Sequence, residues 1–161
     1  MRLWHKDLIP VLPKQQLLGQ WRECCAIARN IAVKGTPNHI LVNKIMNYPT
    51  GHFWKYGYLI FCEMERRGYK CDFNNFEKWI EKPYALITPE YNQLFEGWHN
   101  VSYLRQCFFN LQEKYDCGGI SDIEFGPVIK LCKEHEKQYL NSLFGINNYQ
   151  YGINTDTAAG S

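Results

Sequence analysis

Hydrophobic residues recur at intervals of three and four along most of the chain, a pattern that predicts helices. The first run lies between Pro13 and Gly35, and a proline in the first turn and a glycine after the last turn are typical helix boundaries. Its apolar positions are Leu17, Leu18, Trp21, Cys24, Cys25, Ala28 and Ile31. No part of the sequence has the strict alternation expected of a half-buried strand. We therefore expect an all-α fold whose first long helix occupies this run.

Five further helices are expected after the first. Most of them begin at a capping residue or a proline, and their expected positions are 36–48, 51–68, 72–80, 88–119 and 121–140. Ser121 and Glu124 have the spacing of a capping box before the last of these helices. We expect residues 1–145 to form a compact single-domain helical bundle. Residues 146–161 lack core periodicity and are expected to be a flexible tail.

The composition argues against a membrane protein, a secreted protein and a metal protein. No run of about 18 apolar residues exists, and the first residues are charged where a signal peptide needs an apolar core. The seven cysteines are odd in number and lie within helical patterns, so we expect reduced thiols. The sequence contains no C-x-x-C pair, so we do not expect a metal site. A cytoplasmic protein that acts as a monomer, with no obligatory protein partner, is the expectation.

Charge is distributed unevenly along the chain, although the net charge is only +2. Up to Lys70 there are 11 Lys and Arg against 4 Asp and Glu, a balance of +7. After it there are 7 against 12, a balance of −5. A basic first half is typical of a surface that binds a polyanion such as DNA, because phosphate contacts provide the sequence-independent part of the affinity. A solvated basic face would give the same charge pattern.

The first helix carries a polar stripe beside its apolar one. Gln16, Gln20 and Glu23 are three and four residues apart, so they lie on one face. Arg22 is adjacent to Glu23, and Arg29 is two turns further along the face of Arg22. A carboxylate flanked by phosphate-binding groups suits chemistry on a nucleic-acid backbone. A solvated helix edge is the alternative interpretation of the stripe.

The opening MRLWHKDLIPVLPKQQLLGQWRECCA, with Arg22-Glu23 inside the first helix, resembles the start of the bacterial and phage pyrimidine-dimer DNA glycosylases. Residues 63–69 resemble the family's helix that ends in a basic pair, a glycine and an aromatic residue. Residues 87–90, 103–105 and 110–111 resemble its last segment, so the resemblance covers roughly the first 115 residues. It implies a compact all-α domain in which the N-terminal segment lies against the first long helix.

The resemblance also implies a reaction, base excision followed by strand cleavage in damaged double-stranded DNA. In this family the N-terminal α-amine attacks the sugar C1′, displaces the base and forms a Schiff base that undergoes β-elimination, and no cofactor takes part. An α-amine titrates well below a lysine amine, so a useful fraction is nucleophilic near pH 7. The substrate is expected to be a pyrimidine dimer or another damaged or modified base. The alternative is a non-catalytic helical nucleic-acid-binding protein that keeps the family surface.

Three catalytic residues are expected from the resemblance. Glu23 matches the family's catalytic glutamate, which stabilises the cationic sugar and moves protons, and Arg22 matches an arginine near the scissile backbone. The phage enzymes expose a threonine amine after losing their initiator methionine. Here the bulky Arg2 is expected to block that removal, so Met1 is the expected nucleophile.

The DNA contacts are expected to differ in detail from those of the phage enzymes. Gln16 stands where they have a histidine, and Ala26 stands where they have another arginine. The candidate DNA-binding residues are Arg2, His5, Lys14, Gln15, Gln16 and Arg29. For His5, assistance to proton transfer and a hydrogen bond to the neighbouring backbone are both open.

Overall fold

The fold consists of helices, and the structure, a computed structural model, describes residues 1–80 and 88–144, with side chains as far as Tyr139. Five α-helices follow one another in the described ranges: α1 (Lys14–Lys34), α2 (Thr50–Arg66), α3 (Asn74–Glu77), α4 (Val101–Asp116) and α5 (Asp122–Phe144). Two 3-10 helices, η1 (Lys6–Val11) and η2 (Asn43–Asn47), complete the described elements. No described residue lies in a strand, so the prediction of an all-α fold is confirmed.

Helix α1 begins and ends where the sequence predicts. Pro13 is its N-cap, and Gly35 follows its last residue in the left-handed conformation, with φ of 71°. Its buried face consists of Leu17, Gln20, Trp21, Cys24, Ile27 and Ala28. The polar stripe therefore includes one buried member, Gln20, which is only 1% exposed.

Helices α2 and α3 approach each other so closely that one position of α2 must be a glycine. A Cβ atom added to Gly57 in α2 would lie 2.3 Å from the Phe76 ring of α3, so only glycine fits this contact. Helix α4 packs against α5, and Ser121 and Glu124 at the start of α5 form the predicted capping contact, with the Ser121 hydroxyl donating to Glu124 Oε2 at 3.0 Å. The buried apolar side chains of all five helices join one core cluster.

Two predicted helical segments are wrong in part. Residues 36–42 form turns, and only Asn43–Asn47 is helical, because Asn38 adopts a left-handed conformation with φ of 60° that ends regular helix. Residues 88–100 are also not helical in the structure. Phe95 and Gly97 have φ values of 52° and 81°, and helix α4 starts only after its N-cap, Asn100.

The basic pair at the end of α2 does more than end the helix. The Arg67 guanidinium donates to the backbone oxygens of Leu12 at 2.7 Å and Pro10 at 2.9 Å. It also forms an ion pair with Glu63. Burial alone would raise the pKa of the Glu63 carboxyl, but the hydrogen bonds from Arg66 and Arg67 outweigh it and lower the pKa. This network fixes the chain that leads from η1 into α1.

Some expectations concern residues beyond the described ranges or features of the whole chain. The expected tail, residues 146–161, lies outside the described residues. All seven cysteines lie inside them and none forms a disulfide there, as expected of reduced thiols. None of the helices in the described ranges is both long and apolar enough to cross a membrane.

Candidate active site

The N-terminal segment lies along α1, and its backbone is bound to that helix at every second residue. The Arg2 N–H donates to Glu23 Oε2 at 3.0 Å, and the Trp4 N–H donates to Gln20 Oε1 at 2.9 Å. In an extended chain, alternate residues point the same way, which explains why residues 2 and 4 both face the helix. The predicted packing of this segment against the first long helix is confirmed.

This arrangement brings the α-amine of Met1 to the carboxylate of Glu23. The amine nitrogen lies 3.7 Å from Glu23 Oε1, and the two side chains are 24% and 34% exposed. The two residues are therefore held together by the fold and remain partly exposed. A primary amine beside a carboxylate can attack an electrophilic carbon while the carboxylate accepts and returns protons.

Two tyrosines bind backbone oxygens of the same segment. The buried Tyr56 hydroxyl of α2 donates to the Trp4 backbone oxygen at 2.8 Å and lies 3.2 Å from Gln20 Oε1. The Tyr103 hydroxyl of α4 donates to the backbone oxygen of Leu3. No sequence pattern predicts these roles, although a tyrosine in a buried apolar pattern needs a partner for its hydroxyl.

Arg22 and Arg29 project from the exposed face of α1 beside Glu23. The Arg22 Nε donates to the backbone oxygen of Leu18 at 3.3 Å, and the Arg29 guanidinium lies 6.0 Å from the centre of the Trp79 ring. Within the described ranges, no carboxylate forms an ion pair with either arginine, so both charges can accept a phosphate partner.

Arg2 and Lys14 are placed differently from the arginines of α1. The Arg2 guanidinium lies 5.8 Å from the centre of the Trp4 ring and close to the Cys107 thiol. Lys14 starts α1, nine residues and thus about 13.5 Å along the axis from Glu23. Its ammonium lies 5.6 Å from the centre of the Tyr69 ring. Lys14 is therefore far from the amine, because it lies at the N-terminal end of α1 and Glu23 lies near the middle of the helix.

Gln15 and Gln16 lie in the first turn of α1, next to Lys14. Gln15 is exposed, whereas Gln16 is half-buried and its Oε1 has no hydrogen-bond partner. Gln16 lies on the side of the helix that carries Gln20 and Glu23. It therefore faces the side on which the amine lies, whereas Gln15 does not.

The structure does not bring His5 to the surface on which DNA contacts were expected. Its ring is 3% exposed and stacks on His99 with 5.2 Å between ring centres, while its Nδ1 accepts the Asp7 N–H at 3.2 Å. Burial lowers the pKa of His5 and lowers that of His99 to about 2. The prediction of a DNA contact is therefore corrected: His5 is a buried residue that caps η1.

The comparison with known families falls on the part of the chain that forms this site. Residues 1–77 match the family model described as pyrimidine dimer DNA glycosylase. The resemblance to the pyrimidine dimer DNA glycosylases is confirmed. No curated protein and no solved structure matches the chain.

The glycosylase match contains the amine, Glu23 and both exposed arginines of α1. It ends at the last residue of α3, so α4 and α5 lie beyond it. The resemblance expected for residues 87–111 thus stays a prediction. Because residues 1–77 match a DNA glycosylase family, DNA is the implied substrate.

Proposed function

We propose that this protein is a base-excision repair glycosylase that also cleaves the strand at the abasic site, acting through a Schiff base on the Met1 amine. One observation carries the proposal: the α-amine lies 3.7 Å from the Glu23 carboxylate within the segment that matches the glycosylase family. The substrate is double-stranded DNA that contains a pyrimidine dimer or another damaged base.

The first step joins the amine to the sugar. The neutral amine attacks C1′ of the damaged nucleotide, the bond from C1′ to the base breaks, and the base leaves with the electron pair and takes up a proton. Glu23 faces the position where positive charge develops on the sugar and stabilises it. The carboxylate then receives a proton from the attacking nitrogen and returns it to the ring oxygen O4′, so the C1′–O4′ bond breaks and the ring-opened iminium forms.

The second step cleaves the strand. Loss of a proton from C2′ of the ring-opened iminium expels the 3′ phosphate, which breaks the backbone by β-elimination, and water then releases the amine. Arg22 projects from the turn that carries Glu23 and is proposed to hold the phosphate next to the reacting sugar, with Arg29 binding a phosphate further along the strand.

Borohydride reduction on an oligonucleotide with one abasic site tests this proposal. We expect untagged protein to form a covalent adduct whose mass maps to the peptide that begins at Met1. Glu23→Gln should keep DNA binding and lose most of the adduct and the strand cleavage. Salt-sensitive binding without any adduct from the untagged wild type would refute the lyase mechanism and leave a nucleic-acid-binding protein.

A further inference from the structure

Gln20 is a buried polar residue whose side chain contacts the N-terminal segment, its own helix and Tyr56 of α2. Its side chain is 1% exposed, its Oε1 accepts the Trp4 N–H at 2.9 Å, and its amide nitrogen lies 3.8 Å from Cys24 Sγ. A buried amide without such partners would be costly, so this contact fixes where Trp4 can lie.

The contact at Gln20 sets the register of the residues before it. Gln20 and Glu23 are one turn apart on α1, and they receive the N–H groups of Trp4 and Arg2, which are two residues apart. A slip of the segment by one residue would turn both N–H groups away from the helix. Without the Trp4 bond, this side of the segment would keep only its bond to Glu23, the residue that also faces the reacting amine.

Tyr56 of α2 contacts both Trp4 and Gln20. Its hydroxyl is fully buried and within hydrogen-bond distance of both the Trp4 oxygen and Gln20 Oε1. Trp4 is thus bound through its N–H to α1 and through its oxygen to α2. Three separate parts of the chain meet in these bonds, so the position of the segment depends on the packing of α1 against α2.

We propose that Gln20, together with Tyr56, is a positioning residue that holds the N-terminal segment in the register that brings the α-amine to Glu23. This inference rests on the proposed function, because it concerns the placement of that nucleophile. Neither side chain touches the reacting atoms. Their effect is transmitted through the backbone of residues 2–4, and it is independent of which side chain stands at position 1.

Two variants remove the contacts without changing the side-chain size greatly. Gln20→Met removes the acceptor for the Trp4 N–H, and Tyr56→Phe removes only the hydroxyl. Tyr115→Phe is the matched control, since its hydroxyl bonds Asp122 at the start of α5 rather than the N-terminal segment.

The decisive measurement is the single-turnover rate of borohydride trapping at saturating abasic-site DNA, alongside the dissociation constant for the same DNA. We expect Gln20→Met and Tyr56→Phe to slow trapping about 10- to 100-fold, because a displacement near 1 Å can reduce a rate about 100-fold. The dissociation constant should change little, and Tyr115→Phe should trap at the wild-type rate.

Hydrogen exchange of residues 2–5 separates positioning from a general loss of stability. We expect faster exchange of the Arg2 and Trp4 amides in both variants, with exchange in α4 unchanged. Folded variants that bind DNA and trap at the wild-type rate would overturn the inference and leave the proposed function intact. Absence of an adduct from the untagged wild type would overturn both, and Tyr56→Phe decides the question should Gln20→Met fail to fold.

Discussion

Adding one residue before Met1 should abolish imine formation without unfolding the protein. One extended residue carries the terminal nitrogen about 3.3–3.6 Å further along the chain. Since the amine now lies 3.7 Å from Glu23 Oε1, the new amine can stand about 7 Å away. Displacement by far less than this can reduce a rate about 100-fold, which corresponds to about 2.7 kcal/mol of activation free energy. We therefore expect trapping on an abasic site to fall at least about 100-fold.

The fold should be insensitive to the extension, because the bonds to Glu23 and Gln20 use the N–H groups of Arg2 and Trp4. Unfolding free energies measured in urea should agree with the wild type within about 0.5 kcal/mol. The matched control is a chain released by proteolysis with Met1→Thr as its first residue, which keeps the amine in place and should trap normally. Wild-type trapping by the extended chain, with the adduct on its added residue or on a lysine, would refute the reasoning.

Three other properties follow from the structure. Burial lowers the pKa of His99 from its ordinary value of 6.5 to about 2. Below pH 6.5 the unfolded chain therefore binds a proton at His99 that the folded chain does not bind. The folded state keeps its stability above pH 6.5 and loses stability as the pH falls below it. Urea unfolding should show about 2 kcal/mol lost to this group at about pH 5, a loss that His99→Gln removes; an equal pH dependence in both proteins would contradict the assignment. Arg29→Ala should reduce the slope of log affinity against log salt by about 0.9, whereas Arg105→Ala, which breaks an ion pair between α4 and α5, should leave the slope unchanged. Equal slopes for all three proteins would exclude a phosphate contact at Arg29. Gly57→Ala should lower stability by about 1–3 kcal/mol because its Cβ would meet the Phe76 ring, and Gly19→Ala, where nothing lies within 4 Å, should raise it by about 0.5–1 kcal/mol in thermal unfolding. A tolerated Gly57→Ala would show that the α2–α3 contact is looser than described.

The sequence predicted the helices whose ends carry strong local signals and failed where distant contacts decide the backbone. Pro13 and Gly35 mark α1 correctly because a proline and a left-handed glycine act within their own turn. The segment before α4 has helical spacing, but the Phe95 N–H is bound by His52 Nδ1 at 3.0 Å. That partner lies 43 residues away, and the periodicity of the segment contains no sign of it.

The candidate site was accessible from the sequence only in part. The stripe on α1 placed Gln20 and Glu23 on one face, but nothing in their spacing indicates that residues 2 and 4 bind there. The proximity of the amine to Glu23 was expected only from the family resemblance. The supporting hydroxyl of Tyr56 comes from another helix, so its role required the packing of α1 against α2.

The first residue differs between this chain, which has Met1, and the phage enzymes, which have threonine. This difference matters little if the backbone, rather than the first side chain, positions the amine. The phage enzymes of the family that the sequence resembles present a threonine amine, and we propose the amine of Met1 here, so a side chain at position 1 cannot be what aligns the nucleophile in both. Here the alignment comes from backbone N–H groups of Arg2 and Trp4 bound to two side chains of α1. Because any residue supplies the same α-amine to that frame, a retained methionine is compatible with the proposed chemistry, and the Met1→Thr chain tests this compatibility directly.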